Sequence, residues 1–275
     1  MRIVLREVAV QYDAGLPSST TALAGVDLSV GLGECVAVIG PTGSGKTTLL
    51  EVMAGLSRPS TGTAAIEADG ERPGLKQSVG LAYQFPESQF FEETVFEDVA
   101  FGPARQGLAE PDVRRRVEEA LSRAGLSARE FGARAPLSLS AGEKRRAAIA
   151  GILALSRPFL LLDEPTAGLD PTTADHVSEL VRNEFGAGSG VVVVTHDLEF
   201  VEKVASRTVV MGEGAVLADR ATADVLSDAH LLTQLGLEPP PRYALLNRLK
   251  TLSNPEYERV AGILLGSQAP ERGAP

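Results

Sequence analysis

The stretch Cys35–Leu56 reads CVAVIGPTGSGKTTLLEVMAGL, and its character changes twice. Its opening residues are apolar without alternation, the pattern of a strand buried on both faces. From Lys46 onward the apolar residues recur at helical spacing. Between the two, Gly40, Pro41, Thr42, Gly43, Ser44, Gly45, Lys46, Thr47 and Thr48 match the pattern G-x-x-x-x-G-K-[ST] in full. Glycines let such a backbone curl until several N–H groups point at phosphate oxygens, and the following helix adds the positive end of its dipole. Lys46 is then placed to reach the β- and γ-phosphates of a nucleotide, and the Thr47 hydroxyl to ligate Mg²⁺. A strand before and a helix after distinguish this loop from a chance run of glycines.

Two more apolar runs, FLLLDE (159–164) and VVVVTHD (191–197), have the same doubly buried character and predict a parallel sheet in an α/β fold. The first ends on Asp163 and Glu164. An aspartate there can hold Mg²⁺ through water, and the adjacent glutamate can orient and deprotonate an attacking water. Paired acids at a strand end are often just a cap or a surface turn, but a phosphate loop upstream favours catalysis. The second run delivers His196 to a strand end, the edge where parallel sheets bind ligands. By itself, a lone histidine is more often structural.

Around this centre, RIVLREVAVQY (2–12) and ALAGVDLSV (22–30) alternate as strands do, and short strands are expected at AAIEA and VGLAYQ after the turn SRPSTGT. EPDVRRRVEEALSRAGL (110–126) is amphipathic, with Val113, Val117, Leu121 and Ala124 on one face and Gly125 as its stop. Its Arg114–Arg116 run is a solvated face rather than a phosphate patch. VVMGEGAVLA predicts a hairpin. Past Thr222 the texture shifts to EPPPR, a stiff linker, then to two short helices. The second starts at Asn254 with Pro255 at its first position and carries Val260, Ile263 and Leu264 on one face. The tail SQAPERGAP has a disordered composition.

Twenty-six basic against 36 acidic residues give a net charge of −10, which disfavours a nucleic-acid-binding surface. The one cysteine, Cys35, excludes an intramolecular disulfide and fits a reducing cytosol. No apolar run approaches the roughly 18 residues that span a bilayer, and the first ten residues lack the features of a signal peptide. Work at a membrane would therefore go through a partner.

LSLSAGEKRRAAIAG (137–151) lies between the loop and Asp163. Ser140 followed by Glu143 forms a capping box, so a helix begins there with its free amides exposed. Here the chain resembles the ATP-binding cassette (ABC) ATPases, whose signature is Leu-Ser-Gly-Gly-Gln. Leu139, Ser140 and Gly142 match it, while Ala141 and Glu143 depart and put the efficiency of hydrolysis in doubt. The resemblance covers about residues 2–219. It implies a phosphate-loop cassette over 1–222, with a RecA-like parallel core, an antiparallel β subdomain and an α-helical signature subdomain at about 86–155. Residues 223–275 would form a small, mostly helical extension. ATP and Mg²⁺ are the implied cofactors, and two chains are expected to sandwich two nucleotides, each signature facing the γ-phosphate held by the other chain. Tyr12 looks like the aromatic that stacks on adenine, Gln84 like the glutamine that touches Mg²⁺ or the water, Asp170 like the end of the loop crossing the dimer interface, and His196 like the switch histidine.

Directly after Gln84 comes FPESQFFEETVFEDVAFGP (85–103), phenylalanines and acids with no base. Thr94 and Glu97 form a second capping box, and Gly102-Pro103 should end the short helix they start. Phe91, Val95 and Val99, four apart, make an apolar stripe. By periodicity alone it is equally a core stripe or a docking ridge. The segment resembles that of energy-coupling factor (ECF) transporters, as do RRAAIAG, PTAGLD and LGLEPPP. That resemblance implies contact with a membrane subunit through Phe85, Phe90, Phe91, Glu92, Val95 and Val99. Such a helix would offer an apolar ridge to a groove there, with Glu92, Glu93, Glu97 and Asp98 pairing with basic residues. The implied function is the ATPase of an importer of a vitamin or transition-metal ion, peripheral on the cytoplasmic face of the cell membrane. Its partners would be scaffold and cargo-binding membrane subunits and a second ATPase copy, identical or sister. A soluble ABC ATPase of the cluster-assembly type is the alternative, though it would not be expected to carry this segment or the C-terminal helices. A phosphate-loop kinase cannot account for the signature helix.

Overall fold

The structure is a computed structural model that describes residues 1–251 apart from Ala14, Pro17, Glu71, Arg72, Glu87 and Ser88. The helix expected from Asn254 and the tail lie outside the described residues. Two sheets organise the chain. β1 (Arg2–Tyr12), β2 (Thr20–Gly31) and β4 (Thr61–Glu67) form an antiparallel sheet in the order β2-β1-β4. β3 (Cys35–Ile39), β5 (Val79–Ala82), β6 (Phe159–Asp163), β7 (Gly190–Val194), β8 (Arg207–Gly212) and β9 (Ala215–Ala221) form the second, ordered β5-β6-β7-β3-β8-β9. Its pairings are parallel except for β8–β9, the hairpin expected at VVMGEGAVLA.

Every residue of β3, β6 and β7 is buried, which is why these strands read as unbroken apolar runs. Helix α1 (Lys46–Met53) lies between the two sheets and buries Leu49, Leu50, Val52 and Met53 there. Cys35 is buried in the parallel sheet, and desolvation pushes its thiol pKa up to about 12, so it stays an inert thiol. A short α2 (Leu75–Ser78) leads into β5.

The helical unit is made by α3 (Val95–Arg105), α4 (Glu110–Arg123), α5 (Ala128–Phe131) and α6 (Ala141–Ala154), with α3, α4 and α6 packed on one another. Val113, Val117 and Leu121 of α4 face inward as their spacing predicts. Val95 and Val99 are also buried in this core. They are thus corrected from docking residues to packing residues, because a four-residue repeat cannot tell a core from an interface. Thr94 caps α3, accepting from the Glu97 amide at 3.2 Å. The Glu97 carboxylate takes the Thr94 hydroxyl at 2.7 Å instead of the reciprocal backbone bond. Gly102-Pro103 does not end the helix. Pro103 sits in its last turn, where its missing N–H forfeits a single helical bond and the chain runs on to Arg105. Val99→Ala should lower the unfolding free energy by roughly 2 kcal/mol, from lost methyls and the cavity left behind. Urea denaturation measures it, and an unchanged midpoint would mean that the side chain is not packed.

Helix α7 (Pro171–Gly186) links β6 to β7, and α8 (Leu198–Val204) links β7 to β8. After β9 come α9 (Thr222–Ser227), α10 (Ala229–Gln234) and α11 (Pro241–Thr251). The first two precede the proline linker, inside the extension expected to be mostly helical but ahead of the two helices placed beyond the linker. Val225, Leu226, Leu232, Tyr243 and Leu246 join the main core, and Arg242 ion-pairs with Glu202 of α8. The described part of the C-terminal region is therefore docked on the cassette.

Candidate active site

The phosphate loop forms where β3 must turn into α1 without leaving the space between the sheets. Gly40 (φ 153) passes so close to β8 that a Cβ would stand 2.3 Å from the Met211 carbonyl oxygen. Gly45 (φ 95) caps α1, and a Cβ there would meet the Ala22 carbonyl oxygen at 2.3 Å. Neither position admits a side chain. Gly214, in the β8–β9 turn, donates its N–H to Ser44 O at 3.2 Å and accepts from the Ala24 N–H at 2.9 Å, tying the loop to both sheets. Pro41, Thr42 and Gly43 are exposed at the mouth, while Ser44 is buried.

Lys46 Nζ donates to the carbonyls of Gly40 and Pro41, each at 2.8 Å, and lies 3.4 Å from Ser44 Oγ. Burial lowers its pKa, opposed by the charges of Glu164 and Asp163. The Thr47 hydroxyl donates to Asp163 Oδ2 at 3.0 Å. Burial raises the Asp163 pKa, the Thr47 bond opposes that rise, and the Glu164 charge adds to it. A hydroxyl and a carboxylate in contact at the loop mouth are hard oxygen donors that fit Mg²⁺. Among the described residues, no group of three or more His, Cys, Asp or Glu could hold a metal.

Glu164 follows β6 with a left-handed backbone, φ 48. Its carboxylate meets His196 Nδ1 at 2.9 Å through Oε1 and accepts from Thr195 Oγ1 at 3.1 Å through Oε2. The His196 side chain is 66% exposed. Tyr12, 44% exposed, brings its hydroxyl to 3.4 Å from Thr48 Oγ1, beside the phosphate loop.

Gln84 follows β5, and its backbone carbonyl accepts from the Arg145 guanidinium. Arg145 also reaches the carbonyls of Tyr83 and Ala167, each at 3.3 Å. One buried cation of α6 thus joins the loop after β5 to the turn after Glu164. Sequence reading missed Arg145, although it shares a four-residue spacing with Ile149 and Leu153, both buried on α6.

The signature residues sit elsewhere on the surface. Ser140 caps α6 in a complete capping box. Its N–H donates to Glu143 Oε2 at 2.8 Å, and its Oγ accepts from the Glu143 amide at 3.3 Å. Those bonds turn the Glu143 carboxylate back, and the backbone bond from Ser140 is the main cause of its lowered pKa. Gly142 packs against Thr173, where a Cβ would come within 2.7 Å of the threonine methyl. Leu139 is buried in the helical core, so its side chain anchors the signature and does not face a ligand. Asp170 caps α7 by accepting from the Thr173 amide and hydroxyl, at 3.1 and 2.6 Å. Ser140–Glu143, Gly168–Asp170 and Thr173 line one cleft, which no phosphate-loop residue borders.

On the surface next to Gln84, Phe85 and Phe91 are each 61% exposed. Phe91 meets Phe101 edge-on at 4.6 Å, and the Arg105 guanidinium lies 5.1 Å from the Phe101 ring centre. Phe90 and Glu92 are half-buried. Asp98 is turned inward, accepting from the amides of Phe91 and Glu92 at 3.0 and 3.3 Å, so it orders the segment instead of facing outward. Burial raises its pKa against those two bonds.

A parallel sheet carrying a phosphate loop, with paired acids ending β6, one strand removed from β3 across β7, defines a phosphate-loop nucleoside triphosphatase. Comparison with known proteins gives the lineage. The ABC transporter family model matches residues 23–167. The energy-coupling factor transporter ATP-binding protein EcfA of Methanothermobacter thermautotrophicus is 41% identical, covering 90% of this chain and 80% of that protein. EcfA2 of Caldanaerobacter subterraneus is 38% identical over 91% and 90%. Among solved structures, cbiO1 from Clostridium perfringens, part of the ABC transporter complex cbiONQ, has a TM-score of 0.73 at 32% identity over 89% of this chain and 98% of that one. A dimeric ATP-binding cassette in a post-hydrolysis state, bound to ADP and Pi, has a TM-score of 0.70 at 30% identity over 80% and 98%. The chain belongs to the ABC transporter family and is an ATPase of the cassette type.

Proposed function

We propose that this chain is the ATP-hydrolysing subunit of an energy-coupling factor importer, acting as one of two cassettes on the cytoplasmic face of a membrane complex. The observation that carries the catalytic half is the cluster of Lys46, Thr47, Asp163, Glu164 and His196 around one loop mouth. ATP places its phosphates on the loop amides and Lys46, with adenine beside Tyr12. Mg²⁺ would be held by Thr47, by Asp163 through water and by Gln84, and would supply charge neutralisation between the β- and γ-phosphates. Glu164 accepts a proton from the attacking water as its oxygen bonds to the γ-phosphorus. The bond to the bridging oxygen breaks, and ADP leaves with the electron pair. The signature cleft is separate from the loop, which supports a site completed by the Ser140–Gly142 amides of a second cassette, identical or sister.

The relatives' names support the transport half, and the exposed Phe85, Phe91 and Phe101 give a surface for it. None of the described helices is long and apolar enough to cross a membrane, so coupling runs through a membrane-embedded partner. The cargo, a vitamin or a transition-metal ion, is recognised by that partner. Tagged protein recovered from detergent-solubilised membranes of its host should bring down a transmembrane scaffold and a cargo-binding membrane protein. Phe91→Asp should abolish that recovery while ATP affinity stays within about twofold, since a charge in a desolvated aromatic contact removes an interface anchor. Recovery of soluble partners alone would overturn the transport reading and leave the catalytic one standing.

A further inference from the structure

Of the two side chains that hold the Glu164 carboxylate, His196 is exposed and Thr195 is wholly buried, at 0% exposure. The bonding of Thr195 leaves it little freedom. Its own amide donates to the Val38 carbonyl at 3.2 Å, at the end of the strand that leads into the phosphate loop. Its hydroxyl oxygen accepts from the Asp197 amide at 3.0 Å. A hydroxyl has one proton to give, and here it is committed to Glu164 Oε2 at 3.1 Å. The backbone of Glu164 is tied to the end of β7, the strand that Thr195 follows, its amide donating to the Val194 carbonyl at 2.8 Å. The two residues thus form one rigid unit set against β3, while Oε1 faces the open side beside the His196 ring.

We propose that Thr195 is a positioning residue for ATP hydrolysis: its buried hydroxyl fixes the rotamer of Glu164 so that Oε1 is the oxygen presented to the attacking water. This rests on Glu164 being the base. A carboxylate on a two-carbon stem has several rotamers, and one buried donor on the far oxygen selects among them before substrate arrives. The hydroxyl contributes no proton to the reaction and touches no substrate atom.

The test compares Thr195→Val, which keeps the shape and loses the donor, with Thr195→Ser, which keeps the donor. Both are made in the full chain alone and in combination with Glu164→Gln. Steady-state turnover of Mg-ATP, affinity for a fluorescent ATP analogue and the melting temperature are measured for each. Thr195→Val should lose about ten- to a hundredfold in kcat, the size of one hydrogen bond to a charged group, with nucleotide affinity within about twofold. Thr195→Ser should restore most of the rate. In the Glu164→Gln background, Thr195→Val should change the residual rate by less than about twofold, because the residue it positions can no longer act. If Thr195→Val does not fold, Thr195→Cys keeps the size with a weaker donor, and an undiminished kcat for it overturns the proposal. So does an undiminished kcat for Thr195→Val, or a full loss that persists in the Glu164→Gln background. Glu164→Gln turning over at the wild-type rate would instead remove the catalytic reading on which the proposal rests.

Discussion

Glu164→Gln is expected to lower kcat for ATP by about 10³-fold, within the range for removal of a general base, while ATP still binds. The amide is nearly isosteric with the carboxylate and keeps an oxygen that can accept the Thr195 hydroxyl, so the turn after β6 has no reason to reorganise. What it loses is the capacity to take the proton of water. Retained nucleotide also means that closure is no longer undone by hydrolysis, so the ATP-bound variant should accumulate as a stable two-chain particle. Light scattering with and without ATP reads this directly. A variant that hydrolyses at the wild-type rate would show that another group accepts the proton.

Lys46→Ala should weaken ATP binding by about a hundredfold or more. In the free chain the ammonium is stored against the carbonyls of Gly40 and Pro41, which are neutral acceptors. Phosphate oxygens replace them with charged acceptors, which add the attraction of opposite charges to bonds whose donor is already ionised. Burial lowers the lysine pKa, and the neighbouring Glu164 and Asp163 help to keep it charged. Alanine removes the cation and leaves the loop carbonyls facing the phosphates. Titration calorimetry with a slowly hydrolysed ATP analogue measures the loss, and an affinity within threefold of wild type would mean that the loop amides alone hold the phosphates.

What could be read in advance divides along a physical line. Strands buried on both faces announce themselves, so β3, β6 and β7 were legible, and with them the positions of the loop, Asp163, Glu164 and His196. Capping is local, so the start of α6 at Ser140 was legible to the residue, while the direction of the Glu143 carboxylate was left open between phosphate and the cap. Features set by contact between distant segments were not. Whether Val95 and Val99 faced a partner or their own helical unit depended on α4 and α6. Arg145 stood in a basic run whose inward member is chosen by carbonyls some 60 positions upstream and some 20 downstream. Thr195 looked like an ordinary strand residue until the turn after β6 brought Glu164 to it.

The bonds of Gly214 bear on the order in which the molecule can be made. The nucleotide loop is encoded near the start of the chain, yet Ser44 and Ala24 are joined through Gly214, which is synthesised 170 positions after Ser44 and 190 after Ala24. Gly40 is likewise fitted against the Met211 carbonyl. A nascent chain still lacking β8 carries every residue proposed to touch phosphate, but lacks the contacts with Met211 and Gly214 that fit the loop into place. During translation, capacity to capture ATP should therefore arrive in one late step, when the β8–β9 hairpin leaves the ribosome.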